Sequence, residues 1–327
     1  MDTEKKHYPL RLSGVSKSTI WGGSRLKEAY GKHSDGETLA ESWDLSCRTP
    51  EETCRIENGY GAGMLLSDYL RDYGSALLGT RFHGDRFPLL IKWIDARDRL
   101  SVQVHPDDAY AMRERGELGK TEMWYVVEAE EGASLIYGLK EGVTREDFAL
   151  AVAEGRLFDT MNVLPVKAGD AVFIPAGQLH AIGAGILIAE IQQSSDVTYR
   201  VYDYERRDKD GKERPLHVKE ALEVVRSFTE EEVNAIRYAR VADDERGDPS
   251  LLAACPYFTV RRLSVNGRET LALDEKSFLH LLCLSGDCTL VQDAEKHPVA
   301  RGDSYFLPAG LGDCRLEGEA TLLLTTL

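Results

Sequence analysis

A twelve-residue segment that occurs twice constrains the fold of this chain more than any other feature of its sequence. Residues 169–180 read GDAVFIPAGQLH and residues 302–313 read GDSYFLPAGLGD, and the two segments align without a gap. Each begins with a Gly-Asp turn, continues as a short apolar strand and ends in a Pro-x-Gly turn, which is typical of a hairpin edge. The repeat therefore predicts two related β units in one chain.

The rest of the sequence indicates a mainly β fold with helical insertions, because short runs of branched and aromatic residues are separated by Gly, Pro and Asp. Predicted strands include LSVQVH, EMWYVVEA, ASLIYGL, DAVFIPAG and ILIAEIQ. Helical periodicity predicts helices over 64–79, 107–116, 144–155 and about 217–228. At the start of the third helix, Thr144 and Asp147 form a predicted capping pair.

A polar stretch, VADDERGDPS at residues 241–250, predicts a boundary between two domains. Charged and Gly/Pro-rich segments bury little surface, so they are common between folded units. We therefore expect a domain of residues 1–240, which holds the helical insertions, and a domain of residues 241–327.

Composition limits the partners of the chain. Forty Lys and Arg residues against fifty-five Asp and Glu residues give a net charge of −15, which argues against nucleic acid or an anionic membrane as a partner. No apolar run reaches the roughly 18 residues that span a bilayer, and the first residues, MDTEKKHYPL, lack the apolar stretch of a secretion signal. The six cysteines show no CxxC spacing, which favours reduced thiols and a cytoplasmic location.

Four side chains form a predicted metal site. Gln103 and His105 lie on one face of the strand SVQVH, because strand side chains alternate. Glu122 begins the apolar strand that follows, and His180 ends the Pro-x-Gly turn. Two imidazoles and two side-chain oxygens suit a borderline divalent ion, with Zn²⁺ preferred and Fe²⁺, Mn²⁺ or Co²⁺ as alternatives. A lone strand histidine is more often structural, so the prediction depends on the joint pattern.

The second copy of the repeat lacks this set. Asp313 stands where the first copy has His180. The segment expected to correspond to Glu122 falls near Lys276 or Ser277 and offers no histidine or acidic pair. We therefore expect the second unit to be a structural repeat without a metal.

Three basic residues and one acidic residue are further candidates. Lys92 interrupts the apolar strand LLIKWI, Lys120 precedes Glu122 by two positions, and Arg200 follows the segment DVTY. If they share a pocket with the metal, they form a cationic site for an anionic sugar or phosphate ester. The alternatives are a snorkelling or ion-paired lysine and a surface arginine. Glu190 interrupts ILIAEIQ; burial would raise its pKa and suit it to proton transfer, with a structural ion pair as the alternative.

Seven segments resemble the type I mannose-6-phosphate isomerases, in their short bacterial form. They occur in family order over about residues 8–225: WGG (21–23), ESWDLS (41–46), PLLIKWIDA (88–96), LSVQVHPDD (100–108), GKTEMWYV (119–126), GDAVFIPAGQLHAIG (169–183) and SSDVTYRVYDY (194–204). The repeated segment is also similar to a motif of the cupin family of jelly-roll barrels. The resemblance implies two cupin-like jelly-roll units and an enzyme that interconverts mannose 6-phosphate and fructose 6-phosphate through an enediol.

The resemblance also implies roles for ten residues. It assigns one zinc ion per chain to Gln103, His105, Glu122 and His180. It assigns catalysis to Arg200, Glu190 and Lys120, and substrate binding to Lys92, Ser101 and Asp196. Glu190 is the preferred general base and Lys120 its competitor. A metal cupin of another reaction class and a sugar-phosphate-binding protein without catalysis are the alternative functions, and the oligomeric state stays open.

Overall fold

The computed structural model describes residues 7–207, 210–241 and 245–327, and its strands form three antiparallel sheets. The strands are β1 (Leu10–Ser13), β2 (Val15–Lys17), β3 (Glu41–Leu45), β4 (Arg55–Ile56), β5 (Leu89–Ala96), β6 (Val102–Val104), β7 (Glu122–Ala129), β8 (Ser134–Leu139), β9 (Met161–Pro165), β10 (Ala171–Ile174), β11 (His180–Ile182), β12 (Ile186–Gln193), β13 (Tyr199–Tyr202), β14 (Leu251–Ala254), β15 (Thr259–Leu273), β16 (Leu279–Gln292), β17 (Glu295–Ala300), β18 (Ser304–Leu307) and β19 (Gly312–Thr326). The α-helices are α1 (Arg25–Ala29), α2 (Leu66–Tyr73), α3 (Asp108–Arg115), α4 (Arg145–Ala153), α5 (Val218–Val224) and α6 (Glu230–Arg237). The mainly β prediction is confirmed.

Local sequence explains where the helices begin and end. Helix α4 starts with the predicted capping pair: the Asp147 backbone N–H donates to Thr144 Oγ1 at 3.1 Å, and the Thr144 N–H donates to Asp147 Oδ2 at 3.0 Å. The helix predicted over 64–79 is interrupted, because α2 ends at Gly74, whose φ of 93° is rarely adopted by other residues. A short 3-10 helix, Ser75–Leu78, follows that glycine.

Two sheets build what we call the first unit. One has six strands in the order β10-β7-β12-β5-β3-β2, and the other has five in the order β13-β6-β11-β8-β9. An apolar cluster joins them, with Trp124 and Ile188 from the six-stranded sheet and Leu135 and Ile182 from the five-stranded sheet. The unit is therefore held together by burial of apolar side chains between its sheets.

The second unit, strands β14 to β19, forms an eight-stranded sheet together with β1 and β4. Leu10 of β1 lies opposite Phe306 of β18. An N-terminal strand therefore belongs to the same sheet as the C-terminal strands. One large apolar cluster also contains residues of both units. The division into domains 1–240 and 241–327 stays a prediction, and residues 242–244 of its polar boundary lie outside the described residues.

The second unit repeats the pairing of the first with fewer and longer strands. In the second unit β19 pairs with β15 and β16, and β16 pairs with β17 and β18. In the first unit two strands share the role of β19: β12 pairs with β5 and β7, and β11 pairs with β6 and β8. Strands β10 and β9 then flank β7 and β8 as β18 and β17 flank β16.

This repeated pairing is the structural form of the sequence repeat. The described pairings leave open sheets rather than closed barrels, so the two jelly-roll barrels stay a prediction. Among the described helices, none is both long enough and apolar enough to cross a membrane.

Candidate active site

Three of the four predicted ligands converge in the interior of the first unit. His105 follows β6, Glu122 begins β7 and His180 begins β11, and all three are buried. Their ligand atoms all lie within 4.8 Å of one another. His180 Nε2 is 3.3 Å from Glu122 Oε1, and His105 Nε2 is 3.7 Å from Glu122 Oε2. The donor set is one that divalent metals favour.

Backbone carbonyls fix the tautomer of both imidazoles. His105 Nδ1 lies 2.8 Å from the carbonyl oxygen of Val197, and His180 Nδ1 lies 2.8 Å from that of Gln178. A carbonyl only accepts hydrogen bonds, so each Nδ1 carries the hydrogen and each Nε2 keeps its lone pair. The Nε2 atom of His105 lies 3.1 Å from Lys120 Nζ. Burial lowers the pKa of His105 well below its ordinary value and that of His180 to about 4. Both rings are therefore neutral near pH 7, the form that binds metal.

The residues present fit a cation. His180 Nε2 and Glu122 Oε1 are buried and make no hydrogen bond within the described residues, whereas Glu122 Oε2 lies 2.9 Å from Lys120 Nζ. Leaving buried polar atoms unpaired is unfavourable, and one bound cation would satisfy both. Gln103 lies directly opposite His180 in the pairing of β6 with β11, and Ser101 Oγ donates to Gln103 Oε1 at 3.4 Å.

A row of alternating charges leads away from Glu122. Lys120 Nζ lies 2.9 Å from Glu122 Oε2 and 3.5 Å from Glu190 Oε1. Lys92 Nζ lies 3.3 Å from the same Glu190 oxygen and 3.3 Å from Glu41 Oε2. Burial and the Glu190 charge raise the pKa of Glu122 to about 7, against the effect of Lys120. A bound cation would keep the Glu122 carboxylate ionised.

The sequence prediction of a raised pKa for Glu190 is wrong. Burial does raise the pKa of this carboxyl, but the charges of Lys120 and Lys92 outweigh burial and lower it below its ordinary value. Trp124 Nε1 also donates to Glu190 Oε2 at 3.0 Å. Burial acts to lower the pKa of Lys92, and the charges of Glu190 and Glu41 overcome it and raise that pKa. Near neutral pH, Glu190 is therefore a carboxylate and Lys92 an ammonium.

One cavity of about 140 Å³ collects the remaining predicted residues. Its lining includes the candidate ligand Gln103 and every residue assigned above to catalysis or substrate binding: Lys92, Ser101, Lys120, Glu190, Asp196 and Arg200. A larger cavity of about 730 Å³ lies elsewhere and contains none of the predicted site residues. The chemistry therefore belongs to the smaller cavity, where charged side chains converge.

The sequence reasoning missed several residues of this cavity: Thr19, Trp21, Glu41, Ile94, Leu100, Ile182, Thr198 and Arg214. The segments WGG and ESWDLS contain Trp21 and Glu41, but neither segment shows which strand its residues face. Only the pairing of β3 with β5 brings Glu41 beside Lys92.

Arg200 is held at the cavity wall by the segment that follows β13. Its Nη1 donates to the Pro215 carbonyl at 3.0 Å, and its backbone N–H donates to His217 Nδ1 at 3.3 Å. Burial, together with the charge of Arg214, lowers its pKa below the ordinary value for arginine. Asp196 lines the same cavity and is exposed.

Strand register identifies what the second unit has in place of Glu122. Glu122 pairs with Ile174, and Leu279 pairs with Leu307. Ile174 and Leu307 occupy the same place in the two copies of the repeat. Leu279, rather than the predicted Lys276 or Ser277, therefore corresponds to Glu122. A leucine cannot ligate a metal.

Two more ligand positions, those of His180 and Gln103, are changed as well. Asp313 pairs with Ala272 where the first unit pairs His180 with Gln103. Asp313 is exposed, and Ala272 has no donor atom in its side chain. That the second unit holds no metal stays a prediction, and these replacements support it.

Comparison with known proteins finds similarity over the whole chain. Residues 10–131 match the family described as phosphomannose isomerase type I, catalytic domain, and residues 250–327 match mannose-6-phosphate isomerase, cupin domain. Mannose-6-phosphate isomerase ManA of Bacillus subtilis (strain 168) is 37% identical over 320 residues, which cover 98% of this chain and 99% of that protein.

Two further relatives agree. Mannose-6-phosphate isomerase of Streptococcus mutans is 35% identical over 96% of this chain and 97% of that protein. The crystal structure of the mannose 6-phosphate isomerase from Bacillus subtilis has a TM-score of 0.86 to this chain at 32% identity, covering 98% of this chain and 99% of that one. The fold is therefore of the cupin type seen in those proteins.

Proposed function

The chain belongs to the type I phosphomannose isomerase family, and on that premise we propose that it interconverts mannose 6-phosphate and fructose 6-phosphate with one zinc ion. The proposal depends on one observation, namely that two features lie side by side in the first unit. One is the buried His105–Glu122–His180 group with unpaired ligand atoms. The other is the adjoining cavity, which gathers basic and acidic side chains in a chain of net charge −15.

We propose that Gln103, His105, Glu122 and His180 hold the ion. Nitrogen and oxygen donors together suit zinc, which has no redox chemistry of its own in such a site. When bound, zinc supplies Lewis-acid polarisation of the carbonyl and hydroxyl oxygens of the sugar.

The cations of the cavity are proposed to bind the anionic substrate. Lys92, Lys120, Arg200 and Arg214 all line it. Charge-assisted hydrogen bonds from such groups are stronger than neutral ones, especially where water is excluded. Arg200 has a planar guanidinium group that is held in place by its hydrogen bond to the Pro215 carbonyl. We therefore propose that Arg200 orients the open-chain sugar.

Glu190 is the proposed general base. Its lowered pKa keeps it ionised near neutral pH, so it can accept a proton. From mannose 6-phosphate, Glu190 removes the proton at C2, the electron pair of that C–H bond forms a C1–C2 double bond, and O1 takes up a proton. The resulting cis-enediol then receives the proton from Glu190 at C1 while the O2 hydroxyl loses its proton. The product is the 2-ketose, with no atom gained or lost.

Lys120 is the competing base. Its Nζ lies between two carboxylates, 2.9 Å from Glu122 Oε2 and 3.5 Å from Glu190 Oε1. An ammonium in this position donates hydrogen bonds and has no lone pair to accept a proton. These contacts favour Glu190 as the base and Lys120 as a donor to the developing charge on the substrate oxygens.

The proposal is tested by a coupled assay that follows conversion of fructose 6-phosphate to mannose 6-phosphate. The purified chain is assayed as isolated, after removal of metal by a chelator, and after addition of zinc or, as a control, magnesium. We expect activity to disappear on chelation and to return with zinc and not with magnesium, because magnesium prefers oxygen ligands. Zinc-loaded protein that binds fructose 6-phosphate in calorimetry without turnover would instead support a non-catalytic binding protein.

A further inference from the structure

A short loop, residues 194–198, connects β12 to β13 and borders both cavities. Ser194 lines the larger cavity, and Asp196 lines the smaller one. Val197 is buried, and its carbonyl oxygen lies 2.8 Å from Nδ1 of His105. The position of this loop therefore affects a candidate metal ligand and the wall of the candidate active site.

The hydroxyl of Ser195 joins this loop to the turn that leads to Lys120. Ser195 is fully buried, and its Oγ donates to the Leu118 carbonyl at 2.7 Å. The same oxygen accepts a hydrogen bond from the Val197 N–H at 3.4 Å. A hydroxyl has one donor hydrogen and two acceptor lone pairs, so it can make both bonds at once. One side chain thus links the turn before Lys120 to the residue whose carbonyl holds His105.

The turn at residues 118–120 is itself closely packed. The Gly119 N–H donates to Asp108 Oδ1 at 2.8 Å, and a Cβ at Gly119 would lie 2.4 Å from the backbone nitrogen of Asp108. Only glycine allows so close an approach. The Lys120 N–H donates to the Pro106 carbonyl at 3.0 Å. Because this turn is fixed, the Ser195 hydroxyl holds the 194–198 loop against a rigid partner.

Arg48 holds the same loop from the side of the larger cavity. Its Nη1 donates to the Ser194 carbonyl at 3.0 Å, and its Nη2 lies 3.5 Å from Glu117 Oε1. Arg48 lines the larger cavity and is not among the residues that line the smaller one. Its removal would therefore weaken the support of the loop without removing a group of the candidate active site.

We propose that Ser195 is a positioning residue for the reaction: by fixing the 194–198 loop against the turn at 118–120, its hydroxyl sets His105 relative to Lys120. The inference rests on the proposed function. Lys120 Nζ lies 3.1 Å from His105 Nε2, so a shift of either segment moves a candidate catalytic group relative to a candidate metal ligand. Such sites tolerate errors of only about 0.5 Å, and the contacts that orient the ligands control affinity and rate.

The test compares the chain with Ser195→Ala, which removes one buried oxygen and adds no bulk. Each protein is loaded with one equivalent of Co²⁺, and the visible d–d absorption, the Co²⁺ dissociation constant and the kcat for fructose 6-phosphate are measured. We expect Co²⁺ affinity to fall about three- to tenfold, the range for loss of one hydrogen bond. The absorption band should change, because His105 reorients, and kcat is expected to fall by a similar factor.

Ser277→Ala is the matched control in the second unit. The Ser277 hydroxyl also makes two bonds to the backbone: it donates to the Phe278 carbonyl at 2.6 Å and accepts from the Leu327 N–H at 2.8 Å. The same truncation there should leave the Co²⁺ spectrum, Co²⁺ affinity and kcat unaltered. A Ser195→Ala variant with all three unchanged would overturn the proposal. Equal changes in both variants would overturn it too, because the effect would then be a general loss of stability.

Arg48→Ala decides the question if Ser195→Ala does not fold. Loss of its bond to the Ser194 carbonyl is expected to lower Co²⁺ affinity about threefold and to change the absorption band. An unaltered spectrum and affinity in Arg48→Ala would then overturn the proposal, because the support of the loop would not reach the metal. If the zinc-loaded chain fails to convert fructose 6-phosphate, the proposed function fails, and the Co²⁺ spectrum and affinity still decide the role of Ser195.

Discussion

The two units of this chain share one strand-pairing pattern and differ in what fills the interior of each. In the first unit, Trp124 lies two residues after Glu122 and pairs with Glu190, which in turn pairs with Lys92. In the second unit, Leu281 lies two residues after Leu279 and pairs with Leu324, which in turn pairs with Arg261. Leu324 and Arg261 therefore occupy the positions of Glu190 and Lys92.

The second unit thus contains hydrocarbon where the first has an ion pair. Leu279 and Leu324 pack against the apolar cluster of the second unit, and Arg261 forms its ion pair with Asp248 at 2.6 Å. A buried charge is tolerated only with partners of opposite charge or hydrogen bonds. The comparison shows that the buried charges of the first unit occur together with their compensating partners, whereas leucines replace Glu122 and Glu190 in the second unit.

Strand continuity differs in the same way. In the first unit, β5 and β6, β7 and β8, and β11 and β12 are separate strands, whereas β15, β16 and β19 each run on for fourteen or fifteen residues. The interruptions lie at residues 97–101 and 183–185, whereas His105 and His180 lie at the other ends of β6 and β11, where backbone carbonyls bind their Nδ1 atoms.

The largest expected effect contrasts His180→Ala with Asp313→Ala, the same truncation at the corresponding positions of the two units. Loss of a metal ligand is expected to abolish most zinc binding and to lower turnover by about a thousandfold or more, since a bound metal contributes several kcal/mol. Asp313→Ala should leave both unchanged. Zinc content by elemental analysis and the coupled assay measure the difference, and comparable losses in both variants would contradict the division of roles.

Next in size is Glu190→Gln, which removes the charge of the proposed base and keeps an acceptor for Trp124. Turnover is expected to fall about a hundredfold or more, with zinc content retained. Glu319→Gln, an exposed acid on the corresponding strand of the second unit, is the control and should be silent. Near-normal turnover of Glu190→Gln would transfer the role of base to Lys120.

Arg200→Ala is expected to reduce turnover about ten- to hundredfold, the range for losing hydrogen bonds from a charged donor. Zinc content should stay normal, because the Arg200 side chain donates to the Pro215 carbonyl, and its pairing with Gln103 across β13 and β6 is a backbone pairing that alanine keeps. Arg268→Ala removes an exposed arginine of the second unit that pairs with Glu317, and it should not alter turnover. If Arg200→Ala keeps near wild-type activity, the residue has no part in the mechanism.

The smallest expected effect concerns the free energy of unfolding and distinguishes a structural histidine, His280, from the two candidate metal ligands. His280 of the second unit is buried, and its Nε2 lies 2.8 Å from Ser304 Oγ. Burial, with the charge of Lys32, lowers its pKa from 6.5 to about 3. Between those pH values the unfolded chain binds a proton that the native chain excludes, so stability falls as the pH drops below about 6.5.

His280→Gln should therefore flatten the pH dependence of the free energy of unfolding. The native chain is expected to lose up to about 2 kcal/mol from this group between about pH 7 and about pH 5. Urea unfolding of both proteins in the presence of a chelator measures the difference and excludes metal release as its cause. Parallel pH profiles for the two proteins would show that His280 does not titrate as described.

Features that depend on neighbours in sequence were predictable. The capping pair at Thr144 and Asp147 and the strand over 122–129 follow from residue types a few positions apart. The joint pattern of Gln103, His105 and the Pro-x-Gly turn indicated the candidate ligands, because alternation along a strand fixes which side chains share a face. The repeat predicted a second unit, and the strand pairing contains one.

Tertiary structure alone decided the rest. The direction of the Glu190 pKa shift depends on the distances of two lysines that other strands and loops bring to it, and the sequence predicted burial without those distances. The hydrogen bond that Ser304 Oγ donates to the Asp44 carbonyl, at 2.8 Å, joins residues far apart in the chain. Sequence thus determined the elements and the candidate ligands, whereas charge states and contacts between units arose from through-space distance and burial. The fold sets both of these, because the energy of a buried charge depends on its distance from other charges and on its solvation, and no local pattern encodes either.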